Sequence, residues 1–197
     1  MSIRTARILL IVSAFSTGLL ACLLVIFLVV GRNPIAPQVA AIGGPFALTD
    51  QTGRTVTDAS LKGRPSLIFF GFTHCPDVCP TALFDMSEVL NRLGADAGKV
   101  NVLFVSVDPE RDTPDKLKDY LSSFDPHLTG LTGDAASVAA MLRAYRVYAK
   151  KVPLDGGGYT MDHTALVYLM DKAGRFVAPF NLKRSPEEAA ADLRRHI

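Results

Sequence analysis

From Ser66 to Phe72 the chain is apolar at almost every position, and Thr73-His74-Cys75-Pro76-Asp77-Val78-Cys79-Pro80 follows at once. A short continuous apolar run is how a strand covered on both faces reads. Pro80 suits the first turn of a helix. Leu83, Met86, Leu90 and Leu93 then recur at helical spacing over 81–93, until Gly94 stops them. A covered strand that feeds a cysteine pair into a helix start calls for a layered α/β fold. It also sets the chemistry. Helix-end amides and the positive end of the macrodipole stabilise thiolate, the form that attacks disulfides and ligates copper or zinc.

Residues 8–30 carry no charge and match the ~20 residues that a membrane-spanning helix needs. Arg4 and Arg7 precede the run, so residues 1–7 are expected in the cytoplasm and the rest of the chain across the membrane. Arg32 on the far side weakens that asymmetry. A cleaved signal peptide has an apolar region of only about 7–15 residues. Leu19-Leu20-Ala21-Cys22 loosely resembles a lipoprotein cleavage site, but Leu23 to Val30 stays apolar where a lipoprotein turns polar. The reading is an uncleaved single-pass anchor with Cys22 as a small apolar side chain inside it. No Arg-rich, Ser-rich presequence precedes the anchor. The expected location is therefore a bacterial inner membrane, with the following domain on the periplasmic side.

Every acidic residue lies beyond the anchor, whereas Arg4, Arg7 and Arg32 sit in or beside it. Setting those three aside leaves 18 basic against 19 acidic side chains, a net charge of −1. A near-neutral domain without a basic tract gives no support for nucleic-acid binding. Outside the anchor the cysteines are Cys75 and Cys79, too few for a stapled mini-fold and placed like a working dithiol.

Residues 31–45, with Pro34, Pro37, Gly43, Gly44 and Pro45, read as a linker, and 46–197 as the domain. Phe46–Thr49 and Arg54–Val56 flank a turn at 50–53 and predict a hairpin. Further strands are expected at 100–107, 128–131, 164–170 and 175–179. Further helices are expected from Thr113-Pro114-Asp115 to about Phe124, from Asp134 to about Tyr145, and from Ser185-Pro186-Glu187-Glu188 onward, each with a capping residue. Residues 148–162 show no period and contain Gly156-Gly157-Gly158, so they read as a long mobile loop. Alternating strands and helices imply parallel pairing, closed by an antiparallel hairpin. The fold class is α/β: a thioredoxin-like sandwich with an N-terminal hairpin extension, preceded by one transmembrane helix.

Cys75-Pro76-Asp77-Val78-Cys79-Pro80, then Val107-Asp108-Pro109-Glu110-Arg111-Asp112-Thr113-Pro114, then Asp162-His163-Thr164 resemble the Sco/SenC family of copper chaperones. The resemblance covers the whole soluble domain, and an anchor also fits it. It implies that one copper is bound by Cys75, Cys79 and His163. It also implies delivery to the binuclear copper site of cytochrome c oxidase, whose copper-bearing subunit would be the partner. Other copper chaperones or thioredoxin-like reductants are further implied partners, since some members are thought to act as thiol-disulfide reductants.

The residues weigh differently on their own. A disulfide closing so short a loop gains little from chain entropy, so the cysteine pair reads as functional. A histidine at a strand start is more often structural than a ligand. Even so, imidazole suits the third place beside two thiolates, and in a thioredoxin-like topology it would stand where thioredoxins carry a cis-proline. His74 should project away from Cys75 and at most tune it. Asp77 disfavours free thiolates but favours a bound cation. Asp108 to Asp112 reads as turn and cap chemistry with Arg111 tying carboxylates together, and Lys150, Lys151 and Tyr159 as a solvated loop. A docking role for either segment is the alternative. His127 and His196 read as surface residues. The rival function is a thiol-disulfide reductase with Cys75 and Cys79 as the redox-active pair. A peroxidase lacks the proline it needs in Gly71-Phe72-Thr73.

Overall fold

Strands β3 (Ser66–Gly71) and β4 (Asn101–Ser106) are buried along their whole length and lie side by side in parallel, Phe69 opposite Phe104 and Gly71 opposite Ser106. They are the centre of a seven-stranded sheet in a computed structural model that describes residues 3–30 and 41–197. The described residues fall into an N-terminal helix and a domain. The helix, α1 (Ile3–Val30), is long and apolar enough to cross a membrane by length and composition. It starts earlier than the expected 8–30 and takes in Arg4 and Arg7. Residues 31–40, most of the expected linker together with Arg32, lie outside the described residues.

In the domain the sheet runs β2-β1-β5-β4-β3-β8-β9. Its further strands are β1 (Ala47–Asp50), β2 (Thr55–Thr57), β5 (Leu128–Thr132), β8 (Val167–Met170) and β9 (Phe176–Phe180). Strands β3, β4 and β5 are parallel, and β8 and β9 complete one side antiparallel. The N-terminal hairpin is part of this sheet, because β1 pairs antiparallel with β5. The helices are α2 (Asp58–Leu61), α3 (Val78–Leu93), α4 (Pro114–Leu121), α5 (Ala135–Ala144) and α6 (Pro186–Arg194). Thr113, Asp134 and Ser185 cap α4, α5 and α6 as expected. The β1–β2 and β8–β9 turns use one device. The Asp50 carboxylate accepts from the Thr52 and Arg54 amides, the Asp171 carboxylate from those of Ala173 and Arg175. Gly53 and Gly174 supply the positive φ, 85° and 79°.

Three expectations change. Residues 148–162 are not a loop: β6 (Ala149–Pro153) and β7 (Tyr159–His163) pair antiparallel as a separate two-stranded sheet. The strands are short and only Met161 among their residues is buried, so no apolar alternation marks them, and the glycine triplet lies in the turn between them. His163 consequently ends β7 rather than beginning the next strand, which starts only at Val167. Finally, α3 begins at Val78, where the Thr81 amide already donates to the Asp77 carbonyl at 3.2 Å, so Cys79 lies inside the first turn. The short helix α2 and a 3-10 helix over Gly94–Lys99 carry no periodic signal and were not expected.

Candidate metal centre

Parallel pairing places the C-terminal ends of β3 and β4 side by side, so the segments 72–77 and 107–113 leave the sheet at one edge. A buried carboxylate joins them. Asp112 accepts from the Thr73 amide at 3.1 Å, the Thr73 hydroxyl at 2.6 Å and the Ser106 hydroxyl at 2.7 Å. The cysteine loop is thereby fixed at its start. At its other end α3 begins, and the Cys79 amide donates to Cys75 Sγ at 3.3 Å, the helix-end stabilisation of sulfur that the sequence leads one to expect.

Cys79 is fully buried and Cys75 half-buried, and both are free thiols. Burial pushes the Cys79 thiol far above its ordinary value. A hydrogen bond with Cys75 and the charges of Cys75 and Asp112 add to the effect, and the Phe72 backbone opposes it. Room beneath Cys79 depends on Gly71, where a Cβ would lie 2.8 Å from Cys79 Sγ and 2.6 Å from a Phe104 ring carbon.

His163 reaches this pair from the end of β7. Its Nε2 lies 3.6 Å from Cys79 Sγ, and its Nδ1 lies 3.1 Å from the Thr164 carbonyl. A carbonyl only accepts, so Nδ1 carries the proton and the Nε2 lone pair of the neutral ring faces the sulfurs. Phe72 and Phe69 pack edge-on against the imidazole, with centroids at 5.7 and 6.3 Å. One donor atom from each of Cys75, Cys79 and His163 lies within 4.8 Å of the others. Three donors spread round one ion at ~2.0–2.3 Å stand ~3.5–4 Å apart, so closing on an ion needs shifts of under about an ångström. Two thiolates and an imidazole make a soft donor set.

The three residues singled out as ligands are thus brought together, and the other candidates are not. His74 is exposed beside the Thr73 hydroxyl, and Asp77 holds the N-cap position of α3 with its carboxylate in solvent. His127 pairs with Asp125 on the surface, and neither it nor His196 joins the cluster. Arg111 ties one carboxylate, Asp108, instead of several; Asp112 has its own partners. Nor are Lys151 and Tyr159 a solvated loop, since Lys151 pairs with Glu110 and the Tyr159 hydroxyl donates to Asp108 at 2.9 Å. The anchoring role of Asp112 was missed, because nothing in the sequence says that residue 112 meets residue 73.

The chain is similar to known proteins of one family. The family model for SCO1/SenC matches residues 35–197. A SCO2-like protein of Rickettsia conorii is 38% identical over 192 residues, which is 93% of this chain and 94% of that protein. The mitochondrial SCO1 homolog of Homo sapiens is 42% identical over 159 residues, 79% of this chain but only 53% of that longer protein. Among solved structures, Bradyrhizobium japonicum ScoI with copper bound superposes with a TM-score of 0.78 at 71% identity, covering 80% of this chain and all of that one. With a family model over most of its length and relatives of this identity and coverage, the chain belongs to the SCO1/SenC family.

Proposed function

We propose that this protein is a membrane-anchored copper chaperone. It holds one copper ion through Cys75, Cys79 and His163 and delivers it to the binuclear copper site of cytochrome c oxidase. The observation that carries this reading is the convergence of two thiols and an imidazole nitrogen that faces them. Relatives solved with copper bound support the choice of ion. Copper is cargo here, so the ligands must bind it and also let it go. Cys79 is fully buried, whereas Cys75 and His163 are half-exposed. An incoming donor therefore reaches the ion from the Cys75 and His163 side and displaces those two first. Ligand exchange of this kind changes no oxidation state and needs only that protons return to the released thiols.

The direct test is the copper content of the purified full-length chain in detergent. The parent should hold one copper per chain, and Cys75→Ser and Cys79→Ser should each lose it, since one remaining thiolate is a poor soft site. One tightly held copper in either variant would count against the reading.

A second reading is a thiol-disulfide reductase that keeps the cysteines of the oxidase copper site reduced. It is favoured by the helix amide aimed at Cys75 Sγ. Cys75 and Cys79 would give up two electrons and two protons to the target disulfide and close their own, to be reopened by a thioredoxin-like reductant. Half-buried Cys75 would attack the target disulfide, and fully buried Cys79 would then close on it to release the reduced target.

The anchor reading rests on α1 and places the domain on the periplasmic face of the inner membrane. Protease added outside that membrane should digest the domain, and until then the protein should sediment with membranes. A soluble species beginning near Ala36 or Ala40 would instead show a cleaved leader.

A further inference from the structure

The hairpin that carries His163 belongs to a two-stranded sheet of its own and pairs with no strand of the seven-stranded sheet. An isolated two-stranded hairpin is marginal in water, so something besides backbone pairing must hold this ligand in place. Alternation along β7 turns Tyr159, Met161 and His163 to one face. Met161 is buried in the core. Tyr159 meets the segment that leaves β4. The Arg111 guanidinium carbon lies 3.8 Å from the Tyr159 ring centroid, and Arg111 Nη1 donates to the Tyr159 carbonyl at 3.0 Å. Asp108, fully buried, accepts from the Tyr159 hydroxyl at 2.9 Å and also pairs with Arg111 Nε. The same guanidinium lies 5.8 Å from the Phe72 ring, which in turn stands edge-on to the His163 imidazole.

We propose that Arg111, held by Asp108 and stacked on Tyr159, is the positioning residue that clamps the β6–β7 hairpin and so keeps His163 facing the thiols. This rests on the copper reading above. Arg111 touches neither donor nor ion. It acts through His163 along two routes: down β7 from Tyr159, and through the Phe72 ring. The planar fork and the flat cation are both in use, so lysine is not an equivalent replacement. Tyr159→Phe keeps the ring and the carbonyl and drops only the hydroxyl, whereas Tyr159→Leu removes the platform.

The test uses full-length chain in detergent micelles, loaded with copper alone. Arg111→Met and Tyr159→Leu should each weaken copper at least tenfold and alter the cupric electron paramagnetic spectrum. Amides of 149–163 should exchange faster while those of β3 and β4 do not. Tyr159→Phe should retain most of the affinity. In a His163→Ala background Arg111→Met should cost nothing further, because its route to the ion is gone. Should Arg111→Met fail to fold, Tyr159→Leu reads the clamp from its other side. Parental copper affinity in a folded Arg111→Met or Tyr159→Leu variant would overturn the clamp and leave the copper reading standing. An equal loss in the His163→Ala background would also overturn it, by showing that Arg111 does not act through His163. A parent chain that binds no copper would overturn both.

Discussion

Nε2 of His163 and Sγ of Cys79 lie 3.6 Å apart although the two residues are 84 positions apart in the chain. The approach is directional. The Thr164 carbonyl engages Nδ1 at 3.1 Å, which leaves Nε2 as the basic nitrogen on the sulfur side. Removal of this ring should separate delivery of copper from reduction of disulfides.

His163→Ala should leave the domain folded and Cys75 and Cys79 able to cycle between dithiol and disulfide. Its copper affinity should fall by more than the ~10–100-fold typical of mutating a group that merely orients a ligand. Oxidase maturation in cells should fail with it. Parental copper affinity together with lost disulfide reduction would assign His163 to redox chemistry instead. Metal titration beside a free-thiol assay reads both.

Gly71→Ala tests the space under Cys79. Its Cβ would fall 2.6 Å from a Phe104 ring carbon and 2.8 Å from Cys79 Sγ, well inside the ~3.5 Å of ordinary contact. The expected loss is about 1–3 kcal/mol of stability, with weaker copper binding because Cys79 Sγ is crowded along with the Phe104 ring. Gly98→Ala, where nothing lies within 4 Å, is the control and should leave copper binding unchanged. Equal urea midpoints for Gly71→Ala and the parent would show that the strand end is not tightly packed.

Asp112→Asn should loosen the cysteine loop at its root. The carboxylate accepts from Thr73 twice and from Ser106, and leaving buried partners unmatched costs about 1–3 kcal/mol. Thr73→Val should lose part of the same free energy, and the double variant should lose less than the two singles together. Strict additivity in denaturant unfolding would show that the contact is not shared.

Alkaline pH should destabilise the metal-free protein. Burial raises the folded Cys79 thiol from its ordinary 9.0, so the unfolded chain releases that proton at a lower pH than the folded one. The stabilising contribution is complete below that value and is lost as pH climbs from it toward the folded value. Tyr145, pushed by burial from 10.0 up to about 12, acts in the same direction higher up. Urea midpoints should fall from about pH 9 upward, and Cys79→Ala should flatten the first part of the fall. Copper affinity, in contrast, should rise with pH, because binding must expel the Cys79 proton.

The sequence by itself determined the elements whose signal is local. Seven consecutive residues ending at Phe72 are apolar enough to require a strand covered on both faces, and β3 is buried throughout. Capping chemistry at Thr113, Asp134 and Ser185 set three helix starts, because each cap bonds within its own first turn. The three candidate ligands were legible too, Cys75 and Cys79 from their spacing beside a helix start and His163 only through resemblance to a family. Tertiary structure decided what depends on distant partners. The hairpin in residues 148–162 was illegible because only Met161 of its strand residues is buried, which leaves no apolar alternation, and what holds it is a contact from Arg111 and Asp108 to Tyr159, about 50 positions along the chain. Whether Asp112 would serve as a cap or as the anchor of the cysteine loop was likewise settled by the parallel register of β3 and β4, which brings Thr73 to it. A side chain's neighbours within one turn or one hairpin follow from backbone period, whereas its neighbours across the sheet follow only from how the strands are ordered.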